Sequence, residues 1–311
     1  MTTTHLITKD HAHAGYSADH EPVLTIDPGT GERVTFETDD AAYAQMEELR
    51  DLAKVSATIN PVTGPVHVRG AEPGDALAVT IHDIEMAEHG WSVYIPGAGA
   101  LARPMGEDWY VRRVPVRDGV VQLTDTLSCP AAPMIGCIGV APADGVMSTV
   151  MPSYPTGGNM DLTDARPGST VYLPVAVAGA NLAIGDLHAV MSRGESSFVA
   201  IEIAGRATVS VDLVKAKNLR APRVDTGDEI VCVGLGDPVQ EAIDRAYEDL
   251  FAVLTDEHGY SRHDAYTVMS ALAHTELGGP TGSVAPDPLH PFRAVGQVIL
   301  ARIAKHLLVR A

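Results

Sequence analysis

Short apolar stretches, most of them alternating with polar residues, fill the first 235 positions of this 311-residue chain. VTFET, ALAVTIHDI and TVYLPVAV are three of them, each following a Pro-Gly turn. Alternation of this kind, cut by turn residues, predicts half-buried strands. The 29 Gly and 21 Pro agree, because so many breakers suit short strands better than a helical bundle. The three Pro-Gly turns fall at irregular spacing and read as recurring hairpin chemistry, not as an internal repeat.

Past Asp237 the period lengthens. Val239, Ile243, Ala246, Leu250, Val253 and Leu254 recur at helical spacing up to His258-Gly259, predicting an amphipathic helix over 238–257. Ser261 and Asp264 resemble a capping box for a second helix, predicted to run to about Glu276 and stop at Gly278-Gly279. The pair should cover a sheet face, with His258, His263 and His274 as surface or capping residues. Residues 280–291 read as a Pro-rich linker, and AVGQVILARIAKHLLV suits either a short helix or a final strand. The expected fold is therefore mainly β with C-terminal helices (α+β). Sandwich-like or barrel-like sheets would carry the site over 1–235, followed by the helical pair over 236–278 and the linker and last element over 279–311.

Charge narrows the partners. The chain has 22 Lys+Arg against 40 Asp+Glu, a formal charge of −18, which repels phosphate backbones and anionic membrane surfaces. Neither nucleic acid nor a membrane is an expected partner. MTTTHLITKDHAHAG has no basic region leading into an apolar core, and no run reaches the ~18 apolar residues a membrane span needs, so the expected compartment is the cytoplasm. Cys129, Cys137 and Cys232 lack C-x-x-C spacing and indicate neither a disulfide framework nor a thiolate zinc site.

The densest chemistry lies between Gly157 and Glu202. Asp161, Asp186, His188, Glu195 and Glu202 sit there among Val, Ala, Leu, Ile and Gly. Burying such groups together is costly unless a cation or shared protons hold them. On a strand, the i, i+2 spacing of Asp186 and His188 would turn both side chains to one face and begin a metal site. Upstream, INPVTGPVHVRGAEPGDAL is a rigid stretch around Asn60 and Glu72, and VTFETDD ends in acids that point either into a cleft or into water. In MIGCIGVAPADG, Cys137 has apolar sequence neighbours, and a structural role is expected because nothing adjacent would stabilise a thiolate.

Taken together, EPVLTIDPG, VTFETDD, NPVTGPVHVRGAEPGDAL, PMIGCIGVAP, PTGGNMD and GSTVYLPVAVAGANLAIGDLHAVM resemble, in order, the acetamidase/formamidase family over about residues 21–275. The resemblance implies hydrolysis of small amides to ammonia and a carboxylate, in a β-rich fold with a divalent metal. Its matched polar positions are Asp40, Asn60, Glu72, Asp161, Asp186, His188 and Glu195. From these we expect Asp186, His188, Glu72 and Asp40 as metal ligands, and Glu195 and Asp161 as catalytic groups. Asn60, Asn159 and Arg193 are expected to bind substrate. Zinc is the expected ion, with calcium as a candidate second ion, and a homo-oligomer is expected. The chain departs from the family pattern at Ser192-Arg193-Gly194-Glu195, where Gly-Asp-Gly-Glu is usual, and in AAYAQ, where a Cys-Phe-Gly-Gly-Gln type is usual. The first departure raises two alternatives: a hydrolase of carboxylate-bearing amides with Arg193 as clamp, or a non-catalytic binder of the same fold.

Overall fold

The computed structural model describes residues 3–150, 154–195, 197–279 and 297–308. Two large sheets dominate it. In the first, the long strands Ala76–Met86 and Gly205–Val214 lie antiparallel, with Arg33–Glu37 and Thr170–Pro174 outside them. Arg223–Asp225, Glu229–Gly236, Gln297–Ala304 and His274–Gly278 continue this sheet. In the second, Leu182–Val190 is central and pairs with Met134–Gly139 along one edge. Its other edge pairs first with Val62–Val68 and then with Ile201–Ile203.

The inner faces share one core, as the alternating pattern requires. Ala207, Val209 and Val211 are buried while Arg206 and Asp212, which flank them, are exposed. Phe36, Leu77, Ile81 and Leu173 from the first sheet meet Val66, Ile135, Leu182 and Leu187 from the second. Each such side chain contributes about 1.5–3 kcal/mol on burial. The fold is mainly β, with two C-terminal helices to one side.

Those helices are Val239–Ala252, continued by one wider turn over Val253–Glu257, and Arg262–Leu272. They lay Ala242, Ala246, Leu250, Ala265 and Met269 on Ile230, Cys232, Ile299 and Ala301. Ser261 caps the second helix, with its Oγ accepting from the Asp264 N–H at 3.1 Å. That helix ends at Leu272, short of the expected Glu276, and His274–Gly278 is instead a strand paired with Gln297–Ala304. A further helical turn would place Glu276 near the buried stripe of Ala265 and Met269, whereas in the strand its carboxylate meets Arg193 and Arg302. The tail adopts the strand alternative, and the expected linker at 280–291 lies outside the described residues. Among the described residues no helix is long and apolar enough to cross a membrane.

Candidate active site

The site is built where the strand Leu182–Val190 changes partner along one edge. On one edge Gly185 pairs with Cys137 and Leu187 with Ile135; on the other, Gly185 pairs with Val62 and Leu187 with Ile203. Asp186 falls between these pairs, where the second edge changes partner, and its φ is +56°. Asp tolerates this left-handed conformation better than most residues. The kink brings its Oδ1 to 3.7 Å from His188 Nε2. Opposite lies Gly136, where an added Cβ would stand 2.6 Å from both Asp161 Oδ1 and Asp186 Oδ2. The Gly136 carbonyl also accepts from the N–H groups of Met160 and Asp161, which fixes the loop that delivers the Asp161 carboxylate.

His188 Nε2 is the hub. Glu202 Oε2 stands 3.4 Å from it and Asp161 Oδ1 3.6 Å. Asp161, Asp186 and His188 form one set of donor atoms lying within 4.8 Å of one another; His188, Glu195 and Glu202 form another. All five residues are buried. Burial drives the carboxyls of Asp161, Glu195 and Glu202 upward; Asp161 adds to the rise at Glu195, and Asp186 to those at Asp161 and Glu202. Burial alone would lower His188, but Glu202 and Asp186 outweigh it and hold the imidazole well above its ordinary value. His188 Nδ1 and Asp161 Oδ1 are buried with no hydrogen-bond partner among the described residues. Convergent carboxylate oxygens, an imidazole nitrogen and the unpartnered Asp161 Oδ1 fit a divalent cation.

Beside this cluster is a cavity of about 30 Å³, lined on one side by Asp161, Asp186, Glu195, Glu202 and Asn159. Tyr43, Met46, Asn60, Ile95 and Phe198 complete much of its wall. The Tyr43 hydroxyl donates to Asn60 Oδ1 at 2.7 Å, which turns the Asn60 NH₂ to the opposite side of the amide. Asn159 donates to the Val150 carbonyl at 3.2 Å. Cys137 lies just behind, 3.5 Å from Asp186 Oδ2 and 3.7 Å from Asn159 Oδ1. In space it packs with Tyr16, Val62, Met147 and Ala183, and its polar side-chain contacts are with Asp186 and Asn159. Burial, then the charges of Asp186 and Asp161, push its thiol far upward, so it stays a thiol.

Of the residues singled out by sequence, the structure gathers Asp161, Asp186, His188, Glu195, Asn60 and Asn159 at one cavity or its rim. Asp40, Glu72 and Arg193 are not brought there. Asp40 Oδ2 accepts from Trp91 Nε1 at 2.8 Å and precedes the helix Ala41–Leu49, which presents Tyr43 and Met46 to the cavity. Glu72 is exposed, beyond the far end of a seven-residue strand that spans roughly 20 Å. In its turn it is Asp75 that faces inward, paired with Lys215 at 2.6 Å. Arg193 spends its guanidinium on Asp164 and Glu276, so the clamp for a substrate carboxylate loses its cation. Conversely, Glu202 and Tyr43 belong to the site without having been assigned a role. The signal for Glu202 was its place in an apolar strand, where it sits in register between His188 and Trp91.

A two-sheet β protein with carboxylates buried around one imidazole is the class that fold and site define. A model of the Acetamidase/Formamidase family matches residues 2–150 and 143–279. The chain belongs to that family. A recombinant predicted acetamidase/formamidase from Thermoanaerobacter tengcongensis superposes with a TM-score of 0.87 at 29% identity, covering 99% of this chain and 98% of that one. An acetamidase from Yersinia enterocolitica superposes with a TM-score of 0.85 at 30% identity, over 99% and 94%. A formamidase from Methylophilus methylotrophus is 26% identical over 65% of this chain. The chain spans 64% of that formamidase's length, and 60% of the length of a curated relative from Schizosaccharomyces pombe.

Proposed function

We propose that this chain hydrolyses a small amide of the formamide or acetamide kind, releasing ammonia and a carboxylate. The observation that carries this reading is the buried cluster of Asp161, Asp186, His188, Glu195 and Glu202 beside a cavity of about 30 Å³, a space suited only to a few heavy atoms. Asp186, His188 and Asp161, with Glu202, would hold a divalent cation. Zinc suits the mixed imidazole and carboxylate donors, and an oxygen-preferring ion such as calcium could take the carboxylates left over. When bound, such a cation polarises a carbonyl and acidifies nearby water.

The chain's own groups do the rest. The fixed orientation of Asn60 offers its NH₂ as a donor to the amide oxygen. A water molecule attacks the carbonyl carbon, and Glu195 takes the proton that it sheds. Glu195 then returns that proton to the nitrogen as the C–N bond breaks, so the nitrogen leaves as ammonia. A carboxyl raised well above its ordinary range by burial, and then by Asp161, is suited to carrying a proton near neutrality.

Ammonia release from formamide and acetamide, measured on metal-loaded, chelated and reconstituted protein, tests the reading. Turnover should vanish on chelation and return with the ion. Glu195→Gln should lower kcat by about 10²–10⁴-fold with metal retained. If the metal-loaded protein releases no ammonia from any small amide, the proposal fails.

A further inference from the structure

We propose that Arg193 is a positioning residue: it ties the loop carrying Glu195 to the loop carrying Asp161 and so fixes the proton carrier against the cluster. This rests on the amide-hydrolase reading and deepens it. Arg193 lies two residues before Glu195, and Asp164 three residues after Asp161. Between them is a fork, with Arg193 Nη1 to Asp164 Oδ2 at 2.9 Å and Nη2 to Oδ1 at 3.2 Å. A two-pronged guanidinium–carboxylate pair sets an orientation as well as a distance.

The anchor does not yield. Asp164 is 0% exposed, and a second guanidinium, Arg302 from the first sheet, contacts the same two oxygens at 3.2 Å each. Glu276 bridges both cations, 2.9 Å from Arg193 and 2.8 Å from Arg302, and Glu229 also pairs with Arg302. The fork therefore connects the Glu195 turn to the edge of the other sheet.

That turn needs holding. Glu195 has a φ of +40° and Gly194 one of +78°, and a non-glycine residue persists in this region only where its surroundings enforce it. Within the turn, the Glu195 N–H donates to the Ser192 carbonyl at 3.0 Å and the Phe198 N–H to the Glu195 carbonyl at 2.8 Å. A displacement at Arg193 is thereby passed directly to Glu195 and to the cavity wall at Phe198.

The test compares wild type with Arg193→Met, Arg193→Lys and Asp164→Asn, at a temperature well below the melting point of each, with rates expressed per metal-loaded chain. Arg193→Met should lower kcat at least about tenfold on formamide and acetamide with KM within about threefold, as expected for misplacement without lost binding. Arg193→Lys, which keeps the charge but not the fork, should fall between. Asp164→Asn should lower kcat similarly, and the Arg193→Met/Asp164→Asn double variant should be no slower than the slower single. A kcat for Arg193→Met within about twofold of wild type overturns the proposal, as does a loss confined to KM. If Arg193→Met does not fold, Arg193→Lys and Asp164→Asn decide by the same criteria. Hydrogen exchange supplies a readout that needs no turnover. Should wild type prove inactive on small amides, exchange at the Glu195 and Phe198 amides must still rise at least about tenfold in Arg193→Met, with the helix Val239–Ala252 unchanged. Unchanged exchange at those two amides overturns the tie itself.

Discussion

Asn60, Asp161, Asp186, Glu195 and Phe198 all line the cavity, and all five have a positive φ. Each left-handed non-glycine residue costs on the order of 1–3 kcal/mol, less for Asn and Asp, so the site is held by the surrounding fold and not by local preference. Side-chain identity was legible in the sequence, but this conformation was not. The i, i+2 spacing of Asp186 and His188 was legible, but the left-handed backbone at Asp186, where the strand changes partner along one edge, was not. Asp186→Asn keeps a residue that tolerates φ +56° and removes one buried charge. It should therefore melt no lower than wild type when metal-free, yet bind less metal, as read by thermal unfolding and by metal analysis. Gly136→Ala should behave oppositely. Its methyl group would stand 2.6 Å from two site carboxylates, and a loss of about 1–3 kcal/mol together with lost metal is expected. Cys137 was expected to be structural from its apolar sequence neighbours; it in fact touches Asp186, but its raised thiol argues against a nucleophile. Cys137→Ala should keep more than about a tenth of kcat, and complete loss with metal and fold intact would reverse that assignment.

At the scale of elements, period decided what could be read. The alternating strands and the 3.6-residue stripe from Val239 carry their burial pattern in the sequence, because each faces one core with one side. Helix Ala41–Leu49 was missed: it is short, follows a strand without a Gly or Pro break, and only its Ala, Gln, Met, Glu and Leu content favours a helix. That omission hid Tyr43. The change of partner at Gly185 was also illegible, since no residue pattern says which strands flank Leu182–Val190. The same limit applies to Asp40 and Glu72, where matched motifs fixed sequence position while strand geometry decided what each side chain reaches. Contact between layers gives a prediction here. At Gly234 an added Cβ would lie 2.0 Å from the Ala242 carbonyl oxygen and 2.6 Å from the Ala246 nitrogen. Gly234→Ala should push the helix Val239–Ala252 off its sheet and lower stability by at least about 1–3 kcal/mol in denaturant unfolding. At temperatures where the variant remains folded, kcat should stay within about twofold of wild type, because this second core contains no site residue.

Across the whole molecule, the charge network around Asp164 joins the end of the first sheet to the loops of the site, and it carries a pH signature. Burial by itself would raise the Asp164 carboxyl, but the hydrogen bonds from Arg193, with the charges of Arg302 and Arg193, hold it below the ordinary carboxylate range. A carboxyl lower in the folded chain than its unfolded value of about 3.9 contributes stability that is present in full above that value. The contribution drains away as pH falls through the folded value. Asp164→Asn removes the titrating group and leaves Arg302, which is 5% exposed, facing a neutral amide, with Glu276 and Glu229 as its remaining carboxylates. Breaking a buried pair costs about 3–5 kcal/mol, so the variant should be markedly less stable at pH 7. Below about pH 4 the wild-type advantage should shrink, and the two stability curves should approach one another as the wild-type carboxyl takes up its proton. Urea unfolding of both proteins from pH 7 down to the lowest pH at which the variant still folds measures that difference directly. A gap that stays constant on acidification would mean that Asp164 stabilises the fold through shape alone, and that the charge of its two guanidinium partners contributes nothing.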